Sequence, residues 1–285
     1  MDLIIRKLGL ISDRLPKSVA IALTIIGAIK VACILKTAIS NTFCKKLCWP
    51  LNLSALYGSY SRVLITEAST PIGQAWAEQF ASKNFNLLLV GSDENSLAKL
   101  KVSLQLKYRV NIETLVIDLC ERDASELVCN FIEEKNFEIS VVVNIMKNVQ
   151  IGKFRTLFNS DGKIEQGAFK EMVNENALNI IQANIVFSTL VVRSLLPKLA
   201  ARKYKSAVIN CNLNIESPYS SVYDATKEYL KIFTLKIAKE TKKRVDVFST
   251  SYNEGAEKRC VDEAMRNIGR NIEAPKSLSS IFFSH

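Results

Sequence analysis

The chain has 285 residues, is 48% hydrophobic and 23% charged, and carries a formal net charge of +10. That composition is globular rather than disordered, and the length can bury a sizeable core. Its one histidine is the terminal His285, so a Ser-His-Asp triad, a Cys-His dyad and a His-ligated zinc have no positioned imidazole to use.

The basic excess begins at the N-terminus. Residues 19–35 form an apolar run, VAIALTIIGAI then VACIL, broken by Lys30. The run is at the short end of the roughly 17–25 residues that span a bilayer, and a lysine near its end can snorkel. Upstream, Ile4, Leu8, Ile11 and Leu15 share one helical face, with Arg6, Lys7 and Arg14 elsewhere, the pattern of a helix lying on a membrane. Basic residues flanking an apolar segment point to a lipid surface and not to nucleic acid. The later groups Lys198, Arg202, Lys203, Lys205 and Lys236, Lys239, Lys242, Lys243 are expected to be solvated helix faces.

The seven cysteines are odd in number and scattered. Cys44 and Cys48 make a lone C-x-x-x-C, and a metal site would need two more ligands at compatible spacing. None stands out. Reduced thiols in a domain facing the cytosol are the expectation.

From residue 62 onward short β-rich runs alternate with helical periodicity. The runs are VLIT (63–66), LLLV (87–90), ETLVI (113–117), VVV (141–143), AVIN (207–210) and VDVFS (245–249). Helical stretches fall at 71–83, 93–107, 123–135, 166–200 and 217–241. The alternation predicts βαβ units: an α/β, Rossmann-like, doubly wound parallel sheet in a single domain over 51–285. The N-terminal membrane-associated helical segment occupies 1–50.

In such a sheet the first strand-to-helix turn is where a dinucleotide's pyrophosphate would lie. Here it reads Thr66-Glu67-Ala68-Ser69-Thr70-Pro71-Ile72-Gly73. Further on, Tyr223-Asp224-Ala225-Thr226-Lys227 places a tyrosine and a lysine on one helix face. The turn resembles the TGxxxGIG turn, and YDATK the YxATK helix, of short-chain dehydrogenases/reductases. The resemblance covers about 55–255. The stretches WAEQFASKNFNLLLVGS (76–92), VVNIMKN (142–148) and NIVFSTLVVRSLLPKLAARKYKSAVIN (184–210) are most similar to the membrane-bound branch of that family. This branch contains very-long-chain 3-oxoacyl-CoA reductases, 17-beta-hydroxysteroid dehydrogenases and an inactive relative.

The resemblance implies roles. Tyr223 would exchange a proton with a ketone or alcohol, Lys227 would lower the tyrosine pKa and hold the nicotinamide ribose, and Asn184 would hold a proton-relay water. Thr66, Ser69, Ile72 and Gly73 would line the phosphate turn, Asp118 would contact adenine, and Asn144 would line the cofactor, NADP(H) if any. The branch also implies an endoplasmic-reticulum membrane with the domain facing the cytosol. Pairing through the helices at 166–200 and 217–241 would give a homodimer or a dimer with a related reductase.

The departures cluster at the same cleft. Glu67 and Pro71 stand where the turn has glycine, and a carboxylate about 5 Å from a phosphate costs on the order of 3 kcal/mol per charge pair at an effective dielectric near 20. Counted from Asn210, the family's carbonyl-binding serine is Leu213; counted back from Tyr223, it is Asn210. Asn212 and Asn214 are possible substitutes. Ser92, followed by Asp93 and Glu94, replaces the arginine that reads the NADP 2′-phosphate. Two readings follow: an inactive or weak family member acting by binding at a membrane, or an active NADP(H)-dependent oxidoreductase on steroids or 3-oxoacyl-CoA.

Overall fold

The computed structural model describes residues 51–146, 172–214, 221–241 and 244–269, with isolated positions before 51 and at Phe169. The expected N-terminal membrane segment lies almost wholly outside the described residues, as do 147–168, 170–171, 215–220, 242–243 and 270–285.

In chain order the elements are α1 (Leu53–Tyr57), β1 (Arg62–Ile65), α2 (Pro71–Ala81), β2 (Asn86–Gly91), α3 (Glu94–Tyr108) and β3 (Ile112–Val116). Then come α4 (Ala124–Glu134), β4 (Ile139–Ile145), α5 (Asn174–Ile181), a π-helical turn (Gln182–Phe187), α6 (Ser188–Ala201) and β5 (Ser206–Leu213). The series closes with α7 (Ser221–Glu240), β6 (Val245–Tyr252) and α8 (Glu257–Asn267). All strand pairs are parallel, in the order β3-β2-β1-β4-β5-β6. This is the doubly wound sheet expected from the alternation.

The central strands read as continuous apolar runs because helices cover both faces. On one face, Trp76 and Phe80 of α2 and Val261 and Met265 of α8 pack on Val63, Val143 and Ile209. On the other, Val128 of α4 and Phe187, Val191 and Leu195 of the π-turn and α6 pack on Leu64, Val142 and Val208. The stretch Asn174–Ala201 is the one helix among the described residues long and apolar enough to cross a membrane. Its residues Ile180, Ala183, Val191 and Leu199 are core residues of the domain.

At the end of the sheet where the strands begin, side chains tie the layers together. Arg202 is buried; its Nε donates to Glu138 Oε1 at 2.7 Å, Nη1 to the Lys205 carbonyl at 2.9 Å, and Nη2 to the Tyr57 carbonyl at 2.9 Å. This corrects the expectation of a solvated helix face: position 202 is past the last turn of α6, where a guanidinium can turn inward onto carbonyls left open at the helix end. Tyr57 donates to Asp246 Oδ2 at 2.8 Å, and Lys205 holds the other carboxylate oxygen at 3.1 Å. Burial and the Asp246 charge push the Tyr57 phenol far above its ordinary pKa.

The sheet ends on β6. Among the described residues its outer edge pairs with no strand, and a groove of about 590 Å³ runs between that edge and α8.

Candidate functional site

The phosphate turn keeps its packing and loses its openness. Thr66 Oγ1 accepts from the Ile145 N–H at 2.8 Å, joining β1 to β4. Thr70 caps α2: its Oγ1 accepts from Gly73 N–H at 3.2 Å and donates to the Glu67 carbonyl at 2.6 Å. Pro71 is the first helical residue and has no N–H to offer an anion. Gly73 is retained for a steric reason, since a Cβ there would lie 2.4 Å from the Glu67 carbonyl oxygen. Ser69 Oγ packs against Gly91, and Ile72 is buried.

Glu67 sits at φ 48°, in the left-handed region that glycine occupies without strain. It is 6% exposed. Beyond β2, Ser92 is exposed, and Asp93 caps α3 by accepting from Ser96 N–H at 3.1 Å and Ser96 Oγ at 2.6 Å. These bonds to Ser96 hold the Asp93 carboxyl below its usual pKa. Asp118 is placed at the same edge, after β3, where its Oδ1 accepts from Cys120 N–H at 2.9 Å.

The catalytic-type residues converge on the ends of β4 and β5. Tyr223 is 1% exposed, among Met146, Ile180, Leu213 and Leu230. Its hydroxyl oxygen accepts a hydrogen bond from the Leu213 backbone N–H at 3.0 Å. Burial raises its pKa; the Leu213 amide pulls it back, while Cys211 and Asp224 push it further up. A proton-transfer group works best with a pKa near ambient pH, and the environment of this phenol moves it the other way. Lys227 Nζ pairs with Asp224 Oδ1 at 2.9 Å, one helical turn back. Asn184 is buried in the π-turn; its Nδ2 reaches Thr226 Oγ1 at 3.5 Å, and Thr226 Oγ1 donates to the Tyr223 carbonyl at 2.7 Å. π-turns inside helices concentrate at functional sites.

Leu213 lies at the last position of β5, with its side chain in the cluster around Tyr223. The two asparagines that could have replaced the serine are committed elsewhere. Asn212 Nδ2 donates to Ser251 Oγ at 3.1 Å, and Asn214 Nδ2 to Asn253 Oδ1 at 3.0 Å. Both bonds face β6 and its following turn. Asn144 and Asn210 are register partners on adjacent strands. Asn144 Nδ2 donates to Asn210 Oδ1 at 3.2 Å, and Asn210 Nδ2 to Thr234 Oγ1 of α7 at 2.7 Å. Thr234 completes a buried polar chain that sequence reasoning missed. The signal was there: two asparagines at equivalent places in apolar strands require polar partners.

A family model described as short chain dehydrogenase matches residues 61–252. The chain belongs to the short-chain dehydrogenase family. Hydroxysteroid dehydrogenase-like protein 1 of Gallus gallus is 25% identical over 224 residues, 75% of this chain and 62% of that protein. A very-long-chain 3-oxoacyl-CoA reductase of Vanderwaltozyma polyspora is 24% identical, over 83% of this chain and 72% of that protein. The chain thus spans under two thirds of the chicken relative's length. Among solved structures, a short-chain dehydrogenase from Sphingobium yanoikuyae in complex with NADPH superposes with TM-score 0.63 at 21% identity, covering 78% of this chain and 91% of that one. At that identity the likeness establishes the fold.

The family's oxidoreductases carry a nicotinamide dinucleotide, and the turn tests poorly for one. A buried carboxylate stands in it, the first helical residue lacks an N–H, and after β2 comes exposed Ser92 with Asp93 beside it.

Proposed function

We propose that this chain is a catalytically inactive or very weak short-chain dehydrogenase that acts by binding at a membrane. One observation carries the reading: the Tyr223 hydroxyl is sealed in an apolar cluster and already bonded to the Leu213 amide. A ketone would have to displace both. The charge of the cleft supports it. Among the described residues of the strand-to-helix turns stand Glu67, Asp93, Asp118, Glu121, Asp123 and Glu254, against Arg122 alone. A pyrophosphate would enter an acidic rim.

The N-terminal apolar run favours a membrane-bound setting, at the endoplasmic reticulum as in the branch that the sequence resembles. Leu178 and Ile181 of α5 and Ile232 and Leu235 of α7 are exposed. Such an apolar face fits a second copy or a related reductase as partner.

The alternative, an active NADP(H)-dependent reductase on steroids or 3-oxoacyl-CoA, draws on the retained Tyr223, Lys227 and Asn184. Calorimetric titration of the full chain in detergent with NADPH and NADH separates the two. No heat up to millimolar nucleotide is expected, and binding should appear in Glu67→Gly/Pro71→Gly, where removing one charge repulsion alone returns roughly a hundredfold in affinity. Micromolar binding by the parent chain, with ketone turnover abolished by Tyr223→Phe, would falsify the proposal.

A further inference from the structure

Among the described residues, the turns at the sheet's two ends carry opposite charge. At the end where strands begin, the described residues of the helix-to-strand turns include Lys83, Arg109, Lys135, Arg202, Lys203, Lys205 and Arg244, with Glu138 as their one acid. At the end where strands finish, the acids named above dominate. Helix dipoles favour this polarity, since helices point their negative ends at the floor of the sheet. In the turn 202–205, Arg202 pairs with Glu138 and Lys205 with Asp246, and Lys203 is exposed.

The floor also exposes apolar surface among these cations. Tyr60 is 66% exposed, Tyr204 is 47% exposed and Leu51 is 43% exposed. Tyr60 is held outward at φ 60°. Tyr204 packs across Gly58, and the two rings line one cavity of about 280 Å³ together with Arg62, Phe137 and Arg202. Arg62 stacks 3.9 Å from the Phe137 ring centre. Tyrosines set among lysines are what a membrane–water interface selects, because the ring seeks the headgroup layer and the ammonium the lipid phosphate.

We infer that this floor is a docking surface for an anionic bilayer, with Lys83, Lys135 and Lys203 facing lipid phosphates and Tyr60 and Tyr204 at headgroup depth. The inference deepens the membrane-bound reading above and rests on it. The chain enters the domain at the floor, through Leu51 and α1. A nucleic acid would use the same cations but gives no role to Leu51. The acidic rim would then point away from the lipid, open to water.

The test uses the full chain in vesicles and a water-soluble lysine-acylating reagent read by mass spectrometry. Vesicles of phosphatidylcholine with phosphatidylserine are compared with phosphatidylcholine alone and with detergent. In the anionic vesicles Lys83, Lys135 and Lys203 should lose about fivefold in reactivity, the factor expected for lysines drawn to a charged surface. Lys99 and Lys258, which sit in the halves of α3 and α8 near the acidic end, should not change. The variant Lys135→Glu/Lys203→Glu should keep its thermal unfolding temperature and lose the protection of Lys83. Flotation with vesicles while the floor lysines react as in detergent overturns the floor assignment and leaves membrane attachment standing. Failure to float at all overturns both. Protection of the same lysines by RNA in solution, and not by anionic vesicles, overturns the inference in favour of nucleic acid.

Discussion

Where the strands begin, Arg202 commits its donors to Glu138, Lys205, Ser206 and Tyr57, while Tyr57 and Lys205 share Asp246. Where the strands finish, the residues that the resemblance singles out bond to their neighbours: Lys227 to Asp224, Tyr223 to a backbone amide, Asn184 to Thr226. The same sheet thus carries a clamp at one end and a closed cleft at the other. The difference teaches which parts of a catalytic motif also carry the fold. Thr66 and Gly73 survive because they join β1 to β4 and let α2 approach its turn. At the turn's other two glycine positions stand Glu67, at φ 48°, and Pro71, the first residue of α2.

Three substitutions sharpen that contrast. Arg202→Ala should cost the most, about 3 kcal/mol in urea unfolding followed by circular dichroism, because it strands the buried carbonyls of Tyr57 and Lys205 together with the Ser206 hydroxyl. A loss under 1 kcal/mol would mean the floor is not a clamp. Gly73→Ala should cost about 2 kcal/mol by the same measurement, since its methyl meets backbone that must shift. If it is neutral, Gly73 is retained for a ligand and the cleft is in use.

The smallest effect belongs to Glu78, which bridges α2 to Lys107 and Tyr108 of α3 at 2.6 and 3.1 Å. The bond from Lys107, helped by Tyr108, holds its carboxyl below the usual pKa. A lowered folded-state pKa stabilises above the unfolded value and is lost as pH falls through the folded one. Glu78→Gln should therefore lose under about 1 kcal/mol at neutral pH, and its gap to the parent should close below about pH 4. A gap that persists in acid would assign the effect to packing rather than charge.

The strands were legible in the sequence because a sheet covered on both faces needs uninterrupted apolar runs, as at 87–90 and 141–143. Helix α8 was not. Its residues EKRCVDEAMRN are mostly polar, and only Val261, Ala264 and Met265 reach the core. Among the described residues the long helix runs from Asn174 and α7 from Ser221. Motif spacing singled out Tyr223, Asn184 and Leu213, and the structure brings them to one place. The state of the tyrosine could not be read, because its partner is a backbone amide set by where β5 ends. The inward turn of Arg202 likewise depends on carbonyls brought together from α1 and the turn before β5.

Among the described residues, strand β6 is the outer strand, with eight residues, VDVFSTSY, that contain neither proline nor lysine. Those are the residues by which outer strands commonly repel a second sheet. The row of backbone donors and acceptors along its groove is therefore a growth point. During synthesis or on warming, chains of this protein would meet edge to edge there first. Recovery of soluble protein would then be set by concentration and by what lies along that groove, well before the unfolding of the sheet itself.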